Sequence, residues 1–122
     1  MACVAPSVAQ VTTVCYEGGT EASCGQFIPT FCNFLFDSDV MIAPGDSITR
    51  CFTLNATASR KCDLTALNTL NVTHGTSETN CDNVLAQVNT TCPMGGFGQV
   101  TGAAFQFYGD PNTGACGAPV GN

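Results

Sequence analysis

Asn80-Cys-Asp-Asn-Val-Leu-Ala-Gln-Val-Asn-Thr-Thr-Cys92 is the stretch of this chain that decides the fold. Its apolar residues and cysteines recur at the spacing of one helical stripe, at Cys81, Val84, Leu85, Val88 and Cys92. Asn80 is a suitable N-terminal cap, and Pro93 and the glycines after it end the pattern. The spacing therefore predicts a helix over residues 81–91 with one buried side.

The two cysteines at the ends of this helix cannot bond to each other. A rise of about 1.5 Å per residue places Cys81 and Cys92 about 16 Å apart along the axis, whereas the Cα atoms of a disulfide lie within about 7 Å. Each cysteine is therefore predicted to attach its end of the helix to a different neighbour, which we interpret as strands of the sheet that the helix covers.

The whole chain is rich in cysteine, with nine in 122 residues. Their wide, irregular spacing is typical of a disulfide framework formed in an oxidising compartment, and no CxxC pair indicates a zinc site. Three N-x-[ST] sequons, at Asn55, Asn71 and Asn89, agree with passage through a secretory lumen. The sequence therefore predicts a secreted, extracellular glycoprotein.

Because the number of cysteines is odd, one of them should lie outside the framework. Ser7-Val-Ala9 before Gln10 has the small-x-small pattern of a leader cleavage site, so we interpret residues 1–9 as a leftover leader and 10–122 as a single domain. Cys3 is then the odd cysteine. The alternative is that Cys3 bridges two chains in a homodimer. The predicted framework comprises Cys15, Cys24, Cys32, Cys51, Cys62, Cys81, Cys92 and Cys116.

The charge of the chain excludes some partners. It carries three Lys and Arg residues and a formal net charge of −6, which argues against nucleic-acid binding. No apolar stretch approaches the length of about 18 residues that crosses a bilayer, so membrane insertion is not expected. Only 10% of the residues are charged, and surface polarity must come largely from Thr, Asn, Ser and Gln.

The remaining segments predict a mixture of helices and strands. The short apolar run from Pro29 to Phe36 has helical spacing, with Pro29 in the first turn. Segment 64–71 fits a strand, although it fits a helical face equally well. Residues 109–114, Gly-Asp-Pro-Asn-Thr-Gly, have the composition of a turn that Cys116 closes. Strands are predicted at 11–16, at 47–54 and in the alternating segment 102–108.

The best candidates for ligand contacts lie near the end of the chain. On the alternating strand, Phe105 and Phe107 are expected in the core and Tyr108 on the opposite face. An aromatic ring next to carboxylate and amide groups suits a sugar, so Tyr108, Asp110 and Asn112 are the predicted site. A loop over 95–98, which includes Gly96 and Phe97, is the second candidate because its glycines let a ligand approach the backbone.

Catalysis and metal binding have little support in the sequence. Glu17 and Glu21 are interpreted as solvated loop charges. His74, the only histidine, could join Glu78 and Arg50 in a ribonuclease-like set, but nothing in their spacing requires it.

Asp37 and Asp39 begin like a calcium loop. Met41 and Ile42 then occupy positions that need oxygen ligands or glycine, so this interpretation fails. We predict no catalytic residue, metal or cofactor, and therefore no enzyme.

The order and spacing of several segments resemble a known family. They are Cys15-Tyr16, Ile28-Pro-Thr-Phe-Cys32, Cys62-Asp-Leu-Thr-Ala-Leu-Asn-Thr69, Asn80-Cys-Asp-Asn-Val-Leu85, Cys92-Pro-Met-Gly-Gly-Phe-Gly98 and Phe105-Gln-Phe-Tyr-Gly-Asp-Pro-Asn-Thr-Gly-Ala-Cys116. Together they resemble the small secreted "Y-three" glycan-binding proteins of the ink-cap mushroom Coprinus comatus and its fungal relatives, over nearly everything from residue 11 onward.

The resemblance implies a fold, a partner and an activity. It implies a secreted fungal lectin with an α+β fold, a disulfide-stapled αβα sandwich whose mainly antiparallel sheet is covered by short helices. Such a lectin binds N-glycan antennae through terminal GalNAc, GlcNAc or fucose, without catalysis. The resemblance does not identify the sugar contacts. The alternative is a secreted effector or killer-toxin-like αβ-sandwich protein that acts on a protein or membrane target.

Overall fold

A computed structural model describes residues 10–54, 60–114 and 116 of the chain. The first half holds strand β1 (Val11–Cys15), a short 3-10 turn (Gly25–Phe27), helix α1 (Ile28–Asp37), and strands β2 (Met41–Ile42) and β3 (Ser47–Thr53). The second half holds β4 (Arg60–Asn68), β5 (His74–Gly75), helix α2 (Glu78–Thr91), β6 (Gly96–Val100) and β7 (Phe105–Thr113).

Five of the strands form one antiparallel sheet in the order β1-β6-β7-β4-β3. Its centre is the pairing of β4 with β7, which runs from Arg60 opposite Thr113 to Asn68 opposite Phe105. β2 and β5 pair separately as a small ribbon. The strands predicted at 11–16 and 47–54 are confirmed. Of segment 64–71, residues 64–68 belong to β4, which begins earlier, at Arg60, and residues 69–71 lie in the loop that follows.

The sheet has one covered face and one open face. Residues alternate strictly between half-buried and buried along β4 from Lys61 onward and along β7 up to Asn112. The buried set faces the helices and includes Cys62, Leu64, Ala66, Phe105 and Phe107. The predicted core position of the two phenylalanines is therefore confirmed.

Both described helices lie against the same face of the sheet. Val84, Leu85 and Val88 of α2 are at most 1% exposed and belong to the same core as Leu64 and Phe107. α1 reaches that face through Phe34, whose ring lies 3.9 Å below the guanidinium carbon of Arg50 on β3. The α+β class, with its antiparallel sheet, covering helices and disulfides, is confirmed, although an αβα order would place helices on both faces.

The helix ends agree only in part with the prediction. Ile28, Phe31, Cys32 and Leu35 are the buried residues of α1, as their spacing predicted. α2 begins earlier than predicted, at Glu78, and Ser77 is its N-cap. The assignment of the cap to Asn80 was wrong, because Asn80 lies inside the first turn and its backbone N–H donates to Ser77 Oγ at 3.2 Å.

The structure pairs the eight framework cysteines as Cys15–Cys92, Cys24–Cys62, Cys32–Cys81 and Cys51–Cys116. The two ends of α2 are thus attached to different neighbours. Cys92 bonds to Cys15 at the end of β1, as expected of a strand. Cys81 instead bonds to Cys32 of α1, because the first turns of α2 pack on that helix. Cys3 and the predicted leader lie outside the described residues.

Two predicted irregular segments are strands. The turn predicted at 109–114 was wrong, because β7 continues to Thr113 and pairs with β4 throughout. Its pairing with β6 stops at Gly109, so Pro111 has a strand neighbour on one side only, where a missing N–H is tolerated. The loop predicted at 95–98 was also wrong, because β6 begins at Gly96 and lies between β1 and β7.

Gly96 is predicted to be essential for the packing of β6 on β1. A β-carbon there would contact Val14 O and lie 2.9 Å from Cys15 Cα and 3.1 Å from Cys92 Sγ. We therefore expect Gly96→Ala to lower the free energy of unfolding by about 1–3 kcal/mol, the usual cost of overpacking. Denaturant unfolding measures this. Gly18→Ala is the control, because nothing lies within 4 Å of the added carbon, and an equal loss in both variants would contradict the prediction.

Candidate functional site

The open face of the sheet carries mostly polar side chains. They alternate with the core residues and come from all five strands, because the pairing register aligns them across the sheet. A cavity of ≈ 260 Å³ lies on this face. It is lined by Tyr16, Ser47, Asp63, Thr65, Leu67, Tyr108 and Asp110.

The structure brings most of the predicted ligand residues to this face. Tyr108 and Asp110 line the cavity, and Asn112 follows two residues later on the same side of β7. Phe97 stacks on Tyr108, with 5.0 Å between the ring centroids. Gly96 does not join them, because it is buried on the helical side next to Cys92.

Two carboxylates face each other in this site. Asp63 of β4 and Asp110 of β7 are opposite one another in the register. A single amide nitrogen, Asn112 Nδ2, donates to Asp63 Oδ2 at 2.8 Å and to Asp110 Oδ2 at 3.1 Å. Lys61 Nζ lies 3.5 Å from the same Asp63 oxygen. These contacts hold both carboxylates in place as hydrogen-bond acceptors.

The aromatic side of the cavity is fixed by a chain of hydrogen bonds. Tyr108 donates its hydroxyl hydrogen to Gln106 Oε1 at 2.8 Å, and Gln106 Nε2 donates to Gln99 Oε1 at 3.0 Å. The backbone N–H of Tyr16 donates to Gly95 O at 2.9 Å. Burial, and then the nearby Asp110 and Tyr108, raise the pKa of Tyr16 above its ordinary value of 10.0.

Several residues of this site were not predicted. Asp63, Thr65 and Leu67 lie on β4, and Tyr16 follows β1, all far in sequence from Tyr108. Every second residue from Lys61 to Leu67 lies on the same face of the strand. This alternation was a usable signal that Asp63 and Thr65 share a face. It could not indicate which strand would lie beside them.

The three residues of the ribonuclease-like hypothesis do not form a site. Arg50 lies over the Phe34 ring, His74 is on β5 with its ring 6.3 Å from that of Phe105, and Glu78 is in the first turn of α2. Within 10–54, 60–114 and 116, Lys61–Asp63 is the only ion pair, so none of the three is paired with another. In the same residues no group of three potential metal ligands comes together.

The sequence of the chain matches a known family of glycan-binding domains. A family model described as glycan binding domain Y3 matches residues 23–116. The chain belongs to this family. The antiviral protein CAP of Coprinus comatus is 37% identical over 98 residues, which cover 78% of this chain and 92% of that protein.

Membership of the Y3 family decides between the two function classes. It confirms the resemblance and gives a lectin-type glycan binder with carbohydrate as its partner. The effector or killer-toxin interpretation has no such support. No described helix has the length and apolarity to cross a membrane. The chemistry of the open face agrees, because carboxylates, amides and aromatic rings are the groups that hold neutral polar ligands.

The geometry of the open-face cavity predicts how the pKa of Tyr16 depends on Asp110. Asp110→Asn should lower the pKa of Tyr16 but leave it above 10.0, because the neighbouring negative charge is removed while burial, the larger cause, remains. The chain has two tyrosines and no tryptophan, so ultraviolet absorbance in a Tyr108→Phe background follows Tyr16 alone. Asp37→Asn, at the end of α1, is the control. An unchanged pKa in Asp110→Asn would mean that the two groups are not neighbours.

Proposed function

We propose that this protein is a secreted lectin that binds terminal GalNAc, GlcNAc or fucose on N-glycan antennae through the open-face cavity, without catalysis. The observation that carries the proposal is the cavity itself, in which Tyr16 and Tyr108 lie beside the carboxylates of Asp63 and Asp110. Four disulfides support passage through an oxidising compartment.

The two kinds of group match the two kinds of sugar surface. Neighbouring sugar hydroxyls donate to a carboxylate, and hydrogen bonds to a charged acceptor contribute about 1.5–3 kcal/mol. The C–H face of the ring packs on an aromatic side chain, for which Tyr108 and Tyr16 are available. Because Asn112 and Gln106 hold Asp110 and Tyr108 in place, little conformational entropy is lost on binding.

Leu67 gives the cavity an apolar surface that suits sugars with a methyl group. It lines the cavity, opposite Ser47 in the strand register and two residues from Thr65 on the same strand. GalNAc and GlcNAc carry an acetamido methyl, and C6 of fucose is a methyl group, so each can cover an apolar side chain. The hydroxyls of Ser47 and Thr65 are suited to the amide of an acetamido group.

We assign the two carboxylates of the cavity to binding and not to catalysis. Asn112 Nδ2 donates to both Asp63 and Asp110 and holds them as hydrogen-bond acceptors for a ligand. We therefore expect no release of free sugar from a bound glycan.

Tyr108→Ala is expected to weaken glycan binding at least about tenfold, which corresponds to about 1.4 kcal/mol. The loss follows from removal of the stacking surface and of the bond to Gln106. A glycan array with terminal HexNAc and fucosylated structures identifies the ligand, and calorimetry with that ligand measures the change. Thr12→Ala is the matched control, because Thr12 lies on the same face but outside the cavity.

Two results would contradict the proposal in different ways. If no terminal HexNAc or fucosylated structure binds at saturating protein, the proposed specificity is wrong. If such a structure binds but Tyr108→Ala keeps the affinity of the unmodified protein, the specificity stands and the site lies elsewhere. The thermal midpoint of each variant must be recorded, since Tyr108 also stacks on Phe97.

Leu67→Ser is expected to reduce selectivity more than overall affinity. The preference for GalNAc over galactose should fall about three- to tenfold, since the cost of losing an apolar contact is of the order of 1 kcal/mol. Competition with the two monosaccharides measures the ratio. Thr49→Ser, on β3 of the same face, is the control. If the GalNAc-to-galactose ratio is unchanged in Leu67→Ser, Leu67 does not contact the acetamido group.

A further inference from the structure

The three sequons of the chain differ in their surroundings. Asn71 lies in the loop that joins β4 to β5, Asn89 lies in helix α2, and Asn55 is outside the described residues. We propose that the folded protein carries an N-linked glycan on Asn71 and none on Asn89. This modification is independent of the proposed cavity, whose lining does not include Asn71.

Asn71 is presented on a loop that is held by hydrogen bonds. Both Asn71 and Thr73, the two residues that define its sequon, are exposed. The loop is held from below by Asn68, which is fully buried and donates through Nδ2 to Ile42 O and to Val72 O, each at 2.8 Å. Asn68 Oδ1 also accepts from the backbone N–H of Leu70 at 2.8 Å. A glycan here extends into solvent without displacing any of these contacts.

The residues on either side of Asn71 are apolar and exposed. Leu70 is 37% exposed and Val72 is 52% exposed. An attached GlcNAc is within reach of both side chains and can cover them with the apolar face of its ring. The proposal thus gives this small apolar patch a specific occupant, the first sugar of the chain's own glycan.

Asn89 is held by the 23–25 segment, which crowds its amide nitrogen. Asn89 Oδ1 accepts from the backbone N–H of Cys24 at 2.8 Å, and Asn89 Nδ2 lies 3.4 Å from Ser23 Oγ. Even a β-carbon at Gly25 would lie only 2.9 Å from Asn89 Nδ2. A sugar on that nitrogen would push aside the 23–25 backbone, where Cys24 is bonded to Cys62.

The reaction is the transfer of an oligosaccharide in the secretory lumen. The donor is a lipid-pyrophosphate-linked oligosaccharide. A bond forms between C1 of its first GlcNAc and Asn71 Nδ2, and the bond from C1 to the pyrophosphate oxygen breaks. The lipid pyrophosphate leaves with the electron pair of that bond, and the amide nitrogen loses one proton. The hydroxyl of Thr73 completes the acceptor sequon.

The test is secretion from a eukaryotic host that supplies its own leader, so that it does not depend on the natural route of export. A Thr57→Ala background removes the sequon at Asn55. Peptide mass spectrometry of the secreted, folded protein should find the glycan on Asn71 and unmodified Asn89. Thr73→Ala should lose the glycan, whereas Thr91→Ala, which removes the other sequon and leaves Asn89 in place, should not change the mass of the glycan.

A glycan on Asn89 of the folded protein, or an unmodified Asn71, overturns the proposal. The Thr57→Ala protein alone decides this, even if Thr73→Ala is not secreted. Covering of Leu70 and Val72 has its own readout. Thr73→Ala should bind more of a hydrophobic fluorescent dye than the glycosylated protein, and adding Leu70→Ser and Val72→Ser should remove the increase. Equal dye binding in all three would show that the glycan does not cover the patch.

Discussion

The register between β4 and β7 is the constraint on which the rest of the structure depends. The two strands are the longest of the sheet and pair over their full length at its centre. Because side chains alternate, this register sends Leu64 and Phe107 to the helices and Asp63 and Asp110 to the open face. A shift of one residue would turn over the side chains of the shifted strand and bury its carboxylate, at a cost of several kcal/mol. The pattern that fixes the core therefore also fixes the composition of the site.

The helical layer leaves the open face free for polar groups. Cys15–Cys92 and Cys32–Cys81 fasten both ends of α2, and they close sequence separations of 77 and 49 residues. In the chain-entropy account, loops of this size contribute about 4 kcal/mol each. With α2 fixed in this way, the face of the sheet that the helices cover supplies the core. The opposite face does not need apolar side chains and can present carboxylates, amides and tyrosines to a ligand.

The sequence predicted what depends on local periodicity and missed what depends on distant pairing. The stripes of α1 and α2 were found because helical contacts recur within a few residues. Segment 109–114 has turn composition, but its pairing with β4 overrode that preference. Asp110 and Asn112 were thus correctly grouped with Tyr108, although on a strand and not in a turn. Tyr16 and Leu67 reach the same cavity only through non-local pairing, which a single sequence does not specify.

The placement of Asp63 opposite Asp110 lowers the stability of the folded protein, and folding alone does not explain why the pair is present. Like charges directly opposite each other on a sheet are destabilising, whereas favourable cross-strand pairs contribute about 0.2–1 kcal/mol. Asn112 and Lys61 reduce the repulsion, yet both contact the same oxygen of Asp63. Sugar hydroxyls relieve it further by donating to the remaining acceptor positions, and they bring no charge of their own. An anionic ligand would add to the repulsion in a protein of net charge −6. In the proposed binding mode, the carboxylate pair therefore gives up a little stability in the free protein and favours an uncharged, hydroxyl-rich partner.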